Sequence, residues 1–125
     1  MKSPNRLPGG RGVEMTALNW AVTPEKILAV TNKIRSMTDP KKIVIFGSAA
    51  TEKKNPRDLD ILVVARGQVE NPRRESIRIR RFLRDILMPM DIIVVSEKRL
   101  GDLASRPGLI YGEALRNGKV VYESG

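Results

Sequence analysis

The sequence predicts an α/β (α+β) domain, a small mixed β-sheet with helices packed on it. Three observations carry this expectation. Apolar runs rich in β-branched residues, 42–46, 58–64 and 90–95, are the length of buried strands and too short to form the core face of a helix. Helix openings stand before and between them, at Thr23-Pro24-Glu25 and Asn71-Pro72. The order helix, strand, strand, helix, strand, helix, strand then asks for strands of both directions with helices laid against them.

Taken in turn, Thr23 is a helix cap, Pro24 a first helical residue, and Glu25 favours the positive end of the dipole. Ile27, Leu28, Val30, Ile34 and Met37 form the apolar stripe of that helix, which ends before Asp39-Pro40. Lys42 to Phe46 reads as a strand covered on both faces and closes at Gly47-Ser48. After a polar turn around Lys53 to Pro56, Asp58 to Val64 reads as a second strand. A long helix is expected from Asn71-Pro72 to about Leu87, with Ile77, Phe82, Leu83, Ile86 and Leu87 facing inward and many arginines outward. Pro89 stops it, and Met90 to Val95 is the third strand. A helix around Leu109 to Leu115 ends near Asn117-Gly118, and Lys119 to Glu123 reads as a last strand at the sheet edge.

The 125 residues, 41% hydrophobic, suffice for one domain, expected over 21–125, behind a basic tail over 1–20 rich in Gly and Pro. No apolar run approaches the roughly 20 residues that span a bilayer, and no apolar segment follows the first positive charges. A soluble, cytoplasmic protein without a membrane partner is expected. Cysteine and histidine are both absent. Disulfides, thiolate or imidazole metal sites and the Ser-His-Asp arrangement are thereby excluded, and acid, base or metal chemistry falls to carboxylates. The formal charge of +9 favours polyanionic partners. With only 4% aromatic residues, the stacking platforms of a single-strand binder are scarce, and nucleic acid is a secondary partner.

The residues that carry chemistry lie in IVIFGSAATEKKNPRDLDILVV, 43–64. Side chains alternate along a strand, so Asp58 and Asp60 project from one face. If the strand opening at Met90 lies beside them, Asp91 reaches the same patch. Three carboxylates in one volume raise at least one pKa and cost stability unless a cation joins them. Oxygen-only ligation points to Mg²⁺ or Mn²⁺, and two such ions about 4 Å apart support in-line phosphoryl chemistry. Gly47 lets a backbone approach phosphate oxygens, Ser48 offers a hydroxyl, and the amides from Ala49 to Thr51 present an anion site. The pattern is neither a Walker loop nor a dinucleotide-binding turn. Lys53, Lys54 and Arg57 are basic residues of the intervening loop, and a surface loop explains them sufficiently.

A strand, Gly47-Ser48, a nine-residue spacer from Ala49 to Arg57, Asp58-Leu59-Asp60 opening a strand and Asp91 opening a later one resemble the DNA polymerase β-like nucleotidyltransferase superfamily, in its minimal nucleotidyltransferase branch. The ending from Leu109 to Tyr122 resembles the closing helix and strand of that branch. The resemblance covers roughly residues 24 to 123 and implies the polymerase β-like fold. It further implies that Asp58 and Asp60 bind both metal ions, that Asp91 binds one and helps activate the acceptor hydroxyl, and that Gly47 and Ser48 hold the phosphates of a nucleoside triphosphate. Proteins of this branch are typically encoded beside a HEPN-domain partner. The resemblance thus implies an antitoxin that transfers AMP from ATP, with Mg²⁺ or Mn²⁺, to a hydroxyl of a HEPN-type toxin, usually a tyrosine. Two other readings stand beside it: a binding antitoxin or regulatory subunit that neutralises its partner by covering it, and a small-molecule nucleotidyltransferase.

Overall fold

The computed structural model describes residues 20–50 and 58–124, with residues 48 and 49 described in their backbone only. The tail expected over 1–20, apart from Trp20, and the loop residues Lys53, Lys54 and Arg57 lie outside the described residues. Four helices and a four-stranded mixed sheet follow one another as α1 (Pro24–Met37), β1 (Pro40–Phe46), a 3₁₀ turn (Gly47–Ala50), β2 (Leu59–Ala65), α2 (Pro72–Phe82), β3 (Met90–Ser96), α3 (Glu97–Ala104), α4 (Ile110–Asn117) and β4 (Lys119–Glu123). The sheet order is β3-β2-β1-β4. β1 runs antiparallel to both β2 and β4, and β2 runs parallel to β3. None of the helices among the described residues is long and apolar enough to cross a membrane.

Alternation along the strands makes two cores. Ile43, Ile45, Leu59, Ile61 and Val63 face α1 and α2, where they meet Val30, Ile34, Ile79 and Leu83. Val44, Phe46, Leu62 and Val64 face the other way, against Leu103 of α3 and Ala114 of α4. Helices on both faces explain why the strand runs are almost continuously apolar instead of strictly alternating with polar residues.

Three of the four helix starts are set by side-chain caps, α4 opening at Leu109 without one. Thr23 Oγ1 accepts from the Lys26 amide at 3.2 Å, Asn71 Oδ1 from Arg74 at 3.0 Å, and Ser96 Oγ from Arg99 at 3.1 Å. The last of these opens α3, an element absent from the expected order. Its eight residues hold only Leu100 and Leu103 as an apolar pair and carry Gly101 in mid-helix, so its periodic signal is weak.

Two apolar stripes differ from expectation. In α1, Val30 and Ile34 are buried while Leu28 is exposed. The α2 helix ends at Phe82, not near Leu87, because the chain tightens there: the Leu83 amide is shared between Ile79 and Arg80 carbonyls, and Ile86 donates to Leu83 at 2.9 Å. Its buried contacts are Ile79 and Leu83, one turn apart, whereas Ile77, Phe82 and Leu87 are exposed. At 100° per residue Ile77 lies on nearly the opposite side of the helix from Ile79.

The turn from α4 into β4 lies so close to β1 that a Cβ built on Gly118 would come within 2.6 Å of Val44 Cγ1 and 3.0 Å of the Ile45 carbonyl oxygen. Hydrogen alone fits there, which seats β4 at the sheet edge.

The corrected α2 stripe is testable. Ile79→Ala is expected to lower the free energy of unfolding by about 2–5 kcal/mol. Ile77→Ala should cost under about 1 kcal/mol in the same urea titration, and equal costs would contradict the burial assigned here.

Candidate active site

The candidate site forms where the carboxyl end of β1 meets the amino ends of β2 and β3. Sequence register does the assembling. Phe46 pairs with Asp60 across the β1–β2 ladder, and Asp60 pairs with Asp91 across the β2–β3 ladder. In a parallel pair, directly opposite side chains point to the same face, so Asp60 and Asp91 stand side by side. Because Leu59 and Ile61 belong to the core beneath α1 and α2, the two carboxylates are turned to the opposite face, that of α3 and α4.

Asp58 sits one residue ahead of β2 instead of within it and is exposed. The strand opening it precedes is fixed by the Leu59 amide, which donates to the Pro89 carbonyl at 3.0 Å. That bond ties the start of β2 to the residue just before β3, and so holds the Asp-x-Asp segment level with Asp91.

Gly47 makes a close approach that the motif alone does not disclose. Its φ of 73° lies in the left-handed region, and a Cβ built on it would collide with Oδ2 of Asp60 and lie 3.3 Å from Cγ. Glycine is therefore required both for the turn that leaves β1 and for the space that the Asp60 carboxylate occupies. The sequence gives no sign of this contact, because it depends on the Phe46 to Asp60 register. The backbone of Ser48 and Ala49 continues in the 3₁₀ turn Gly47–Ala50.

The Asp60 carboxyl holds its proton more tightly than an ordinary aspartate. Burial is the leading cause, followed by the charge of Asp91 and then that of Asp58. The charges of both other predicted carboxylates thus reach Asp60. Among the described residues, no group of three stands close enough to hold a metal ion as placed. In charge and donor type the set nevertheless fits a hard divalent cation: the side-chain donors are all carboxylate oxygens, and the surplus negative charge that raises Asp60 is what a cation relieves.

Comparison with known proteins bears on the family and the fold. The model of the polymerase beta nucleotidyltransferase family matches residues 25–125. The chain belongs to that family. Among curated proteins none matches. Three solved structures resemble the nucleotidyltransferase fold seen here. A protein of Sulfolobus solfataricus, described as a candidate nucleotidyltransferase, superposes with a TM-score of 0.57 at 18% identity, over 93% of this chain and 90% of that one. A toxin–antitoxin structure, MntA–HpeT with a tyrosine-to-alanine change, gives a TM-score of 0.55 at 18% identity, over 82% of this chain and 74% of that one. A second MntA–HpeT structure, with two aspartates two positions apart changed to glutamate, gives 0.50 at 17% identity over 82% and 75%. At these identities the likeness is one of fold.

Two outcomes are expected. Because Asp60 binds its proton more tightly folded than unfolded, its contribution to stability is full at acid pH and is lost as pH rises through its raised pKa. In chelating buffer at pH 7, Asp60→Asn should therefore melt above the wild type, with the gap closing towards acid pH; an equal or lower melting temperature at pH 7 would contradict the crowding of charge. Gly47→Ala should destabilise the fold by about 1–3 kcal/mol through its positive φ and the displaced Asp60 carboxylate. Unchanged chemical denaturation of that variant would show the close approach to be wrong.

Proposed function

We propose that this nucleotidyltransferase moves AMP from ATP to a hydroxyl, a tyrosine by preference, of a HEPN-type toxin partner, and so acts as an antitoxin. The observation that carries the chemistry is the row formed by Gly47, Asp60 and Asp91 at one end of the sheet, with Asp58 immediately ahead of it. In this reading Asp58 and Asp60 hold two divalent ions, Mg²⁺ or Mn²⁺, and Asp91 holds one of them. Bound ions would neutralise phosphate charge and favour the ionised acceptor.

The chain's own groups do the remaining work. Gly47 and Ser48 hold the triphosphate at the carboxyl end of β1, where the chain turns through the positive φ of Gly47. The acceptor oxygen attacks the α-phosphorus while the bond to the bridging oxygen breaks, so pyrophosphate leaves with that electron pair. The hydroxyl proton passes to the exposed side of the cluster at Asp91, which lies at the open edge strand β3.

Support for a toxin partner comes from the MntA–HpeT neighbours, which are toxin–antitoxin structures. The two aspartates altered in one of them have the spacing of Asp58 and Asp60, and the tyrosine altered in the other is the residue type proposed as acceptor.

The test is the intact mass of the protein encoded beside this one, after co-expression with wild type and with Asp58→Asn/Asp60→Asn. One or more AMP-sized increments with wild type alone are expected. A partner that stays unmodified yet co-purifies and is silenced would replace this reading with neutralisation by binding.

A further inference from the structure

The most concentrated charge among the described residues lies away from the carboxylates, on α2. Arg74, Arg78, Arg81 and Arg84 follow at spacings of four, three and three, which places them along one line of the helix and the turn after it. All four are exposed, as is Arg73 at the helix start. Among the described residues only Arg78 of these has a counter-ion, Glu75, which it grips through two bonds of 2.9 and 2.8 Å. Arg73, Arg74, Arg81 and Arg84 make no ion pair among the described residues.

Like charges at these spacings destabilise a helix by about 0.2–0.5 kcal/mol per pair, and a surface selected for solubility alone intersperses signs. Here the repulsion is left standing. The same face exposes Ile77 and Phe82, each 44% accessible, between the guanidinium groups. Two open grooves flank them, one of about 480 Å³ along Lys33, Phe82, Arg84 and Asp85, whose carboxylate pairs with Lys33 at 3.9 Å, the other of about 520 Å³ along Asn71, Arg74 and Ile77.

We infer that this face docks an acidic protein segment whose carboxylates meet the arginine line and whose apolar side chains cover Ile77 and Phe82. Three features favour protein over nucleic acid. The cations are almost all arginine, the charged residue enriched at protein interfaces, where lysine is depleted. Exposed aliphatic surface at the centre of the patch suits an apolar partner residue and offers nothing to a phosphate backbone. The single aromatic ring is already met by Lys33, whose Nζ lies 5.5 Å from the Phe82 centroid, and it is no stacking platform. Because Ile79 and Leu83 of α2 belong to the core on the face opposite Asp60 and Asp91, this surface is separate from the nucleotide site. The inference does not depend on the transfer reaction.

The experiment uses the full chain and two labelled probes. One is a helical peptide of about 20 residues, long enough to hold its helix when bound, with glutamates flanking a leucine stripe. The other is a DNA duplex. Arg74→Glu/Arg81→Glu is expected to weaken the peptide by more than about tenfold, and Ile77→Ser by about tenfold with charge unchanged. Ile77→Ser should leave duplex affinity within about threefold, and the arginine pair should weaken the duplex no more than an equal charge reversal elsewhere on the chain. The inference is overturned if wild type does not bind the peptide, or if Lys98→Glu/Arg99→Glu on α3 weakens it equally, which would reduce the effect to net charge. It is overturned in favour of nucleic acid if the arginine pair governs duplex binding while Ile77→Ser leaves both probes unaffected. Urea denaturation of each variant separates loss of docking from loss of fold.

Discussion

The register of β2 is the constraint on which the candidate site depends. Leu59, Ile61 and Val63 fill one core and Leu62 and Val64 the other, so the strand is pinned from both faces. A slip by one residue would turn Asp60 inward against Val30, Ile79 and Leu83, burying a carboxylate among apolar side chains at a cost of several kcal/mol. Hydrophobic packing thus does what no polar contact near the carboxylates could do alone. It holds Asp60 level with Asp91 and beneath Gly47 while the charges on those groups push apart.

Charge is segregated across the sheet. In a chain of formal charge +9, the clustered aspartates sit on the face of α3 and α4, and the densest line of arginines on the outer surface of α2, beyond the other core. The sheet and its core hold the two apart, and solvent screens the exposed arginines, so they do not quench the negative charge around Asp60. A cation approaching the carboxylates therefore meets a local field opposite in sign to that of the molecule as a whole.

Most of the architecture was legible because it rests on short-range patterns. Strand length, β-branched content and the caps at Thr23 and Asn71 located β1, β2, β3, β4 and the starts of α1 and α2. The shared face of Asp60 and Asp91 followed from period-two alternation once β2 and β3 lay side by side. What escaped depended on tertiary context. The α3 helix has two apolar contacts and a mid-helix glycine, too little pattern to stand out, although Ser96 followed by Glu97 is a usable start signal. Arginines on every side of α2 blurred its periodicity, and nothing local distinguished Ile79, which the sheet buries, from Ile77, which it does not. The contact between Gly47 and the Asp60 carboxylate joins residues thirteen positions apart, through a pairing that only the folded sheet creates.

The two proposed surfaces are separate but mechanically close. β3 is an edge strand, and its opening is gripped from α2: the Arg80 guanidinium donates to the Met90 carbonyl at 2.7 Å, one residue before Asp91. A protein segment seated on the arginine line would lie one helix and one edge strand away from the carboxylates. It could deliver a hydroxyl to Asp91 only by passing around that open edge. Docking on α2 would then select partners by charge without occupying the candidate site, while the reach of the partner's chain around β3 would decide which of its hydroxyls arrives at the proposed acceptor position. In a catalytic domain of this size, substrate choice can lie in the partner's own geometry as much as in a pocket of the enzyme.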